Sequence, residues 1–580
     1  MSSSDASVSP HVPLRSGRSR RLRTLAGIAM AVSLLAALFG GAGTRAAAPR
    51  FYPDDPIQVD NDREFDASRA APVEGSNVWD FVENTFFEKG ERNSIRALNV
   101  NTMDEVPDSS WFTNRIGRVD LSPAEIGRGP NTLDVVNIDG WPIVEGKSQG
   151  VTPGYRVVDP SGRRYQIKFD PPSNPEMASG AEMIGAALYH AIGYNVVEGY
   201  LVEVDPDRIV IDPEATTVDL SGRKKRMTME DVKLILRRAA RGPNGKYRAL
   251  ASRYAEGKYL GYFKYYGTRA DDPNDIFPHE HRRELRANRV FAAWLNHDDS
   301  RALNSLDMLQ GSEGRRFVRH YMFDFGSIVG SGSTMPQAPR AGNEYMLEWK
   351  PSLLTLVTLG FYVRPWITID YPKVARSIGR FESARFDPVR WKPEYPNPAF
   401  ENMRADDAFW AARIVAKFSD EGVRAAVARA QYREPGAAEY AAKTLIERRD
   451  KVLRAWLPGV NPIVSPALDD EGVFTFRNAA VDAGLAGKPA GYLVQWHQFD
   501  NADGDGPGDA IGPEVRVTEP RAAAPLERLK GTEFAAVRVR TEHAEFPHWA
   551  DPVTVYFRRE ADGWRAVGLE RQEPREVQGQ

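Results

Sequence analysis

The chain has 580 residues, 42% of them hydrophobic, so it can bury a large core and is expected to form roughly two or three domains. Its 76 basic and 79 acidic residues leave a formal net charge of −3, without the strong positive field that nonspecific nucleic-acid binding needs, so we expect no nucleic-acid partner. The absence of cysteine excludes disulfides, thiol nucleophiles and Cys-ligated metal sites.

The N-terminal residues predict export. Arginines between Arg15 and Arg23 precede an apolar run from Leu25 to Phe39, and small residues with an A-x-A-like site follow. Residues 1–48 are therefore expected to be a signal peptide or a membrane anchor, and both export the rest of the chain because the arginines stay on the cytoplasmic side. We expect a periplasmic or secreted protein, or one anchored to the outer face of the cytoplasmic membrane, and an association with the membrane or cell envelope stays open.

The remaining chain divides into three parts by amino-acid composition and by the spacing of its apolar residues. Residues 49–135, rich in Pro, Asp and Asn, predict an irregular segment wrapped over a domain surface. Residues 136–457 predict strands followed by helices, and residues 465–580 return to short strands and turns. The expected fold class is α+β, with a small all-β domain at the C-terminus.

The strand-rich part extends over about residues 136–260. "YRVVD", a turn at "PSG" and "RRYQIKFD" predict a β-hairpin, and "VVEGYLVEV" predicts a further strand. Between them, "SGAEMIGAALYHAIG" predicts a helix with Ser179 as its N-cap. A charged stretch at about 205–258 is expected to be an insertion.

The helix-rich part extends over about residues 261–457. "HEHRRELRANRVFAAWL" predicts a helix, followed by a polar loop "HDDSRALN" at 297–304 and a hairpin "NSLDMLQGSEGRRFVRHYMF". "AEYAAKTLIERRDKVLRAWL" predicts the last helix. The apolar run "LLTLVTLGFYV", at 353–363, is too short to span a membrane and is expected to pack in this part's core.

The polar loop has the H-x-D-x-x-x-x-N spacing of the protein-kinase catalytic loop, and Asp324-Phe325-Gly326 follows the hairpin as the D-F-G motif. Upstream, Lys168 lies in a predicted strand and Glu182 early in the next helix. In this order the components resemble the protein-kinase-like superfamily, in particular its atypical bacterial and secreted branches such as the HipA-type and spore-coat CotH-type kinases. The resemblance covers about residues 140–457 and implies a two-lobed fold with a small β-rich lobe and a large helical lobe.

The resemblance implies ATP and Mg²⁺ as cofactors. Lys168 would contact the α and β phosphates, held by an ion pair with Glu182. Asp324 and Asn304 would hold Mg²⁺, because carboxylate and amide oxygens are the hard ligands that this ion prefers. Glu176 is the alternative ion-pair partner, but "NPE" is expected to precede the helix.

The loop itself would supply the catalytic groups. Asp299 would orient an acceptor hydroxyl and accept its proton, and Arg301 could neutralise the γ-phosphate. Asp298 is an alternative base, because "NHD" also resembles the N-x-D opening of HipA-type loops, although the spacing to Asn304 favours Asp299. His297 is expected to bond the backbone around the loop.

The phosphate-covering loop is the least defined component. "VEGKSQGVTPGYRV" occupies the right place, and its glycines would let the backbone approach phosphates, with Lys147 and Ser148 adding contacts. An ordinary flexible hairpin is the alternative. The chain also lacks a G-x-G-x-x-G-x-V loop, a V-A-I-K strand and an A-P-E motif, which leaves the substrate and nucleotide geometry open.

The expected function is that of an exported, atypical phosphotransferase that uses ATP and Mg²⁺ to phosphorylate a hydroxyl of a protein, sugar or small molecule. Two alternatives share the fold, namely an enzyme that transfers AMP and a pseudokinase that binds without catalysis. A different alternative is a cell-envelope binding protein that acts through its C-terminal β-region, where Trp496, Phe499 and Trp549 would be candidate sugar-binding aromatics.

Overall fold

The computed structural model describes residues 48–88, 90–92, 95–147, 152–219, 221–504 and 506–571. These residues form a mixed α+β protein with four β-sheets, which confirms the expected class. The described parts of 51–499 and 507–571 belong to one compact unit; 48–50 and the described residues of 500–506 belong to a second, in which Arg50 N donates to Asn501 O (3.0 Å). The predicted export signal lies, but for Ala48, outside the described residues.

The helices follow the expected order along the chain. In the described residues they are α1 (Asn77–Val82), α2 (Pro123–Arg128), α3 (Met177–Ile192), α4 (Met229–Leu236), α5 (Arg283–Leu295), α6 (Trp349–Val357), α7 (Pro398–Glu401), α8 (Ala405–Ala416), α9 (Asp420–Ala428), α10 (Ala437–Trp456) and α11 (Ala479–Asp482). A π-helical turn, Glu83–Phe87, directly follows α1.

The strands form sheets of seven, three, three and five members. They are β1 (Pro142–Gly146), β2 (Gly154–Val158), β3 (Arg164–Phe169), β4 (Gly199–Val204), β5 (Val210–Val218), β6 (Lys224–Arg226), β7 (Tyr247–Arg253), β8 (Lys258–Gly261), β9 (Ser305–Ser312), β10 (Arg315–Met322), β11 (Ile463–Leu468), β12 (Val473–Asn478), β13 (Gly491–His497), β14 (Val515–Val517), β15 (Arg521–Ala523), β16 (Phe534–Glu542), β17 (Val553–Glu560) and β18 (Gly563–Arg571).

The largest sheet has the strand order β4-β7-β3-β2-β1-β5-β6. β2 and β3 form the predicted antiparallel hairpin. Alternation along β3 buries Tyr165, Ile167 and Phe169 in the core of this sheet, so Lys168 projects from the opposite face. The sheet therefore holds a single lysine of β3 away from its apolar side.

The stretch at about 205–258 is not an insertion, because it supplies β5, β6 and β7 of the same sheet. β7 lies between β3 and β4, and its central residues Ala249, Leu250 and Ala251 are fully buried. The charges that suggested an insertion belong to the exposed strand β6 and to the exposed side of α4. β7 lies in the interior of the sheet because it pairs with β3 and β4, which are distant in sequence. The local sequence pattern does not reveal that pairing.

Helix α3 begins at Met177, before the predicted N-cap Ser179. Ser179 lies inside the first turn, where its backbone N (2.9 Å) and its hydroxyl (2.5 Å) both donate to the Asp170 carboxylate. The predicted cap is wrong because Asp170, directly after β3, already accepts from that turn. Glu176 takes the N-cap position, with a φ of 67°.

Helix α5 runs through the largest apolar core, to which α3, α8, α9 and α10 also contribute buried residues. Its first turn carries the fully buried Arg283, which donates to Asp104 Oδ1 (2.7 Å), Asp406 Oδ2 (2.9 Å) and Asp407 Oδ1 (3.0 Å). This network joins the irregular N-terminal segment to α5 and α8.

The apolar run at 353–363 does not pack in a core, and that prediction is wrong. No residue of α6 is buried, and Leu359 and Phe361 beyond it are 86% and 87% exposed. The segment is held at its base, where Glu344 accepts from Trp366 Nε1 (2.6 Å) and pairs with Arg364, so its middle lies in solvent. In the described part of the chain, no helix is long and apolar enough to cross a membrane.

Candidate active site

Lys168 and Asp324 meet although they lie 156 positions apart in the sequence. Lys168 Nζ donates to Asp324 Oδ1 at 3.0 Å, with the lysine side chain 13% exposed and the aspartate side chain 43% exposed. Burial would lower the pKa of Lys168, but Asp324 and then Glu182 raise it above its ordinary value, so the ammonium is charged. The sheet and the D-F-G turn thus bring the predicted lysine and metal ligand together.

Glu182 lies beside the same pair. A Cβ placed on Gly326 would be 3.6 Å from both Glu182 Oε2 and Asp324 Oδ1, so both carboxylates lie close to that glycine. Burial raises the pKa of Glu182 to about 7, and Lys168 opposes that rise. Among the described residues, the salt bridge of Lys168 is with Asp324 rather than with Glu182. Glu176 instead pairs with Arg248 (3.8 Å) and Arg433 (3.5 Å).

The D-F-G turn is fixed by α3. Asp324 has a φ of 60°, a left-handed conformation that non-glycine residues adopt mainly where the surrounding structure imposes it. Phe325 packs on Tyr189 of α3, with ring centroids 4.6 Å apart, and a Cβ on Gly185 would lie 2.4 Å from Phe325 Cβ. Gly185 is therefore required for the turn to approach the helix.

The β9–β10 hairpin joins the polar loop to the D-F-G turn. Its arms pair in full register, from Ser312 opposite Arg315 to Ser305 opposite Met322, so the chain returns to where the hairpin began. Phe323 N donates to Asn304 O (3.1 Å) just beyond the paired region. Asn304 Nδ2 donates to Asp299 O (2.7 Å), which leaves its amide oxygen as the acceptor.

Asp299 lies in the loop with Arg301 as its partner. Arg301 Nε is 2.8 Å from Asp299 Oδ1, and Arg301 Nη1 is 3.6 Å from Glu394 Oε2. Burial raises the pKa of Asp299 to about 7, although Arg301 pulls it down. A carboxyl group that titrates near neutral pH is suited to accept a proton.

Asp298 has a different environment. Gln337 Nε2 donates to Asp298 Oδ1 (2.6 Å), and burial, together with Asp299 and Glu394, raises the pKa of Asp298 well above its ordinary value. Gln337 also donates to Asn296 O (2.9 Å) and Ser327 O (2.9 Å). Asp298 is therefore joined through Gln337 to the backbone of Asn296 and Ser327, whereas Asp299 has Arg301 as its partner.

Lys147 brings a second ammonium group to the site. Its Nζ donates to Thr152 O (2.8 Å), and burial, with Lys168 as the next cause, lowers the pKa of Lys147 to about 8. An anion such as a phosphate group would relieve the repulsion between the ammonium groups of Lys147 and Lys168, so the two lysines are suited to binding one. Ser148 lies outside the described residues.

His297 does not make the expected backbone hydrogen bonds. Both of its ring nitrogens are buried without a hydrogen-bond partner among the described residues, and the residue is 4% exposed. Burial lowers the pKa of His297 to about 4, so the ring is neutral at physiological pH. It packs near Phe325, with ring centroids 5.8 Å apart.

Sequence reasoning missed the residues around Arg301 that come from distant segments. Tyr395 OH donates to Asp80 Oδ2 (2.5 Å), and Asp80 belongs to α1 of the N-terminal segment. Asp299 and Tyr395 raise the pKa of Arg301 against the effect of burial. Burial raises the pKa of Asp80, and Arg301 is among the groups that oppose this rise. No motif spacing connects Asp80, Arg301 and Tyr395, so one sequence offers no signal for them.

The donor set fits Mg²⁺ bound together with a phosphate ligand. Among the described residues, no cluster of three or more His, Asp or Glu could hold a metal ion by itself. Mg²⁺ usually takes one or two protein carboxylates and completes its shell with waters and phosphate oxygens. The exposed Asp324 carboxylate and the Asn304 amide oxygen are of this kind.

The C-terminal aromatics do not form a sugar-binding face. Trp496 is 4% exposed and Trp549 fully buried, and both are part of the packing of the C-terminal strands. Phe499 packs edge-on against Tyr556, with ring centroids 4.9 Å apart. A sugar ring stacks only on an accessible aromatic face, so these residues give the C-terminal region no such site.

Comparisons with known proteins were made for the whole chain. No protein-family model matches it, and no curated protein is significantly similar to it. Among solved structures, the crystal structure of the Golgi casein kinase aligns with 70% of this chain and 95% of that chain, at 8% sequence identity and a TM-score of 0.29. A likeness of this size carries no argument about the fold or the function of this chain.

Proposed function

We propose that residues 136–457 form a two-lobed, protein-kinase-like phosphotransferase that uses ATP and Mg²⁺, with its small lobe at about 136–260 and its large lobe at about 261–457. The observation that carries the proposal is the 3.0 Å contact between Lys168 of β3 and Asp324, beside Glu182. A strand lysine, a helix carboxylate and a turn carboxylate meet at one place, and along the chain they follow one another as they do in protein kinases.

The residues have distinct roles in this proposal. Lys168 and Lys147 bind phosphate oxygens, and Glu182 limits the movement of Lys168. Asp324 and Asn304 hold Mg²⁺, which when bound neutralises charge on the transferred group. Asp299 accepts the proton of the acceptor hydroxyl, and Arg301 both orients Asp299 and faces the transferred phosphoryl group. The acceptor is a hydroxyl of a protein, a sugar or a small molecule.

Nucleotide binding by the full chain tests the proposal. ATP affinity is measured with and without Mg²⁺ for the unmodified protein, Lys168→Ala, Asp324→Ala and a control, Lys224→Ala, on the exposed strand β6 of the same sheet. We expect Mg²⁺-dependent binding that falls at least about tenfold in the two site variants and is unchanged in the control. A folded protein that binds no nucleotide would contradict the proposal.

One observation favours a second candidate, binding without transfer. Asp324 Oδ1 is occupied by Lys168, so a nucleotide could be held by the lysines without a metal. Binding that does not depend on Mg²⁺ and survives Asp324→Ala would support this pseudokinase. Incubation with ATP labelled at the γ or the α position separates the enzyme alternatives, since transfer of the α label would indicate an AMP-transferring enzyme.

We also propose that the chain is exported, which the arginine-rich N-terminus and the apolar run up to Phe39 support. N-terminal sequencing of the mature protein tests this. A new N-terminus near Ala48 is expected for a cleaved signal peptide, and an intact N-terminus in the membrane fraction is expected for an anchor. An intact N-terminus in the cytoplasmic fraction would contradict export.

A further inference from the structure

Residues 349–369, here called the apolar segment, expose large hydrophobic side chains. Trp349, Leu356, Val357, Leu359 and Phe361 have between 70% and 87% of their surface exposed. They lie along α6 and the turn after it, so exposed apolar side chains are concentrated in this stretch. Contiguous apolar surface on a folded protein marks a place that meets a partner.

The threonine hydroxyls of the apolar segment are bonded within it. Thr355 Oγ1 donates to Pro351 O (2.9 Å), Thr358 Oγ1 donates to Leu354 O (2.7 Å), and Thr368 Oγ1 donates to Pro365 O (2.9 Å). Past the end of α6, Gly360 N donates to Thr355 O (2.8 Å) and Tyr362 N to Thr358 Oγ1 (2.9 Å). These groups can leave water without losing their hydrogen bonds.

The charges of the apolar segment have one sign. Between Trp349 and Ile369 the sequence contains no Asp or Glu, and its charged residues are Lys350 and Arg364. Arg364 is held at the base by Glu344, whereas Lys350 is exposed beside the apolar side chains. Glu348 and Asp370 border the segment, and Glu348 pairs with Lys392 (2.6 Å), so Lys350 is the cation beside the exposed apolar side chains at the Trp349 end, where it can meet an anionic lipid headgroup.

We propose that the apolar segment inserts into the interface of a lipid bilayer and holds this face of the protein against the membrane. The helix of the segment, α6, has 9 residues and is too short to span a bilayer, but the composition of the segment fits a stretch that lies in the headgroup region with Leu and Phe side chains in the acyl boundary. Trp349 and Trp366, near its two ends, are residues that favour the membrane–water interface. This inference is independent of the proposed phosphotransfer.

A position-specific label tests the inference on the full chain. The N-terminal apolar run can itself bind lipid, so the readout has to come from one chosen residue. The absence of cysteine lets Phe361→Cys carry a single environment-sensitive fluorophore, with Val135→Cys, at an 83% exposed position in the N-terminal segment, as the matched control. Each labelled protein is mixed with vesicles of phosphatidylcholine, with and without phosphatidylglycerol.

We expect the label at position 361 to shift to shorter wavelength and to be quenched by a quencher attached to the lipid tails, while the label at 135 is unchanged. A label at 361 that responds to neither type of vesicle overturns the inference. A shift that appears without vesicles and grows with protein concentration overturns it in favour of a second copy of the chain on this surface.

Substitutions in the apolar segment give an independent measurement. With the label on Leu353→Cys, the triple change Leu356→Asn, Leu359→Asn and Phe361→Asn is expected to weaken the vesicle response at least about tenfold, because apolar burial supplies the binding free energy. The three side chains are exposed, so the far-UV circular dichroism is expected to stay the same. Lys350→Gln is expected to remove the preference for phosphatidylglycerol, and an unchanged response in the triple variant contradicts the inference.

Discussion

At the scale of single residues, the Asp299 carboxyl couples the site to stability. Its pKa is about 7 in the folded protein and near 4 in an unfolded chain, so the folded state binds the proton more tightly. Stability therefore falls as pH rises from about 4 to about 7. Asp299→Asn is expected to raise the free energy of unfolding by about 4 kcal/mol at pH 8, since a shift of about three pKa units corresponds to that energy, and to leave it unchanged at pH 4.

Urea unfolding at the two pH values measures this effect, with Asp562→Asn in an exposed turn as the control. The same Asp299→Asn change is expected to reduce phosphoryl transfer by about 100-fold or more, because the acceptor hydroxyl loses its base. Equal stability changes at pH 4 and pH 8 would contradict the assigned titration.

Arg283 stabilises the folded chain through buried ion pairs. It is fully buried between Asp104, Asp406 and Asp407, and Arg283→Met would leave these carboxylates without their shared cation. We expect a loss of about 3–5 kcal/mol in the free energy of unfolding, measured from the urea midpoint. Arg283→Lys is expected to recover only part of it, since an ammonium cannot replace the fork of a guanidinium. Full stability of Arg283→Met would refute this role.

At the scale of elements, the contact between α3 and the D-F-G turn depends on Gly185. A methyl group there would lie 2.4 Å from Phe325 Cβ, so Gly185→Ala is expected to displace the turn and weaken ATP binding at least about tenfold. Gly127→Ala in α2 is the matched control, because its methyl would meet Ala425 at an ordinary 3.4 Å. Isothermal titration compares both, and unaltered affinity in Gly185→Ala would show that the turn does not depend on this contact.

Elements with strong local patterns were predictable from the sequence, and those set by distant partners were not. The β2–β3 and β9–β10 hairpins and helix α5 follow from alternation, turns and helical spacing. β7 was missed because its neighbours in the sheet, β3 and β4, precede a long charged stretch. The exposure of α6 was missed because apolar composition alone cannot distinguish a helix in the core from a helix exposed on the surface.

The same division holds for the candidate site. Lys168, Glu182 and Asp324 were singled out by the order of the motifs in the sequence, and they lie together. The Lys168–Asp324 pairing was not foreseen, since a choice between two nearby carboxylates depends on distances that no spacing encodes. Asp80 and Tyr395 were missed for the same reason, because their contact joins segments 315 positions apart.

At the scale of the whole molecule, the N-terminal segment links the helical core to the C-terminal strands. Leu98 N donates to His281 O (2.9 Å), and Leu569 N in β18 donates to Thr102 O (2.8 Å) a few residues later. Arg571 of β18 also lies 3.6 Å from Asp104, which Arg283 holds. We expect the helical core and the C-terminal strands to unfold in one transition, because neither can separate without breaking this segment's bonds.

Circular dichroism and tryptophan fluorescence measured along one urea titration test this expectation. Coincident curves are expected, and two separated transitions would show that the C-terminal strands unfold independently of the helical core. Glu542→Gln, which breaks the exposed pair with Arg516 at the edge of the five-stranded sheet, is a control expected to leave the coincidence intact.

The candidate site lies at the open end of the β9–β10 hairpin, and the tip of the hairpin lies at its other end. Asn304 and Asp324 are set side by side by the open end, while the chain reverses at Glu313–Gly314, eight paired positions away. A break in the backbone at that reversal would leave Lys168, Asp299 and Asn304 on one fragment and Asp324 on the other. Two fragments split at this turn would therefore each lack part of the candidate site, and they would have to associate to bring these four residues together again.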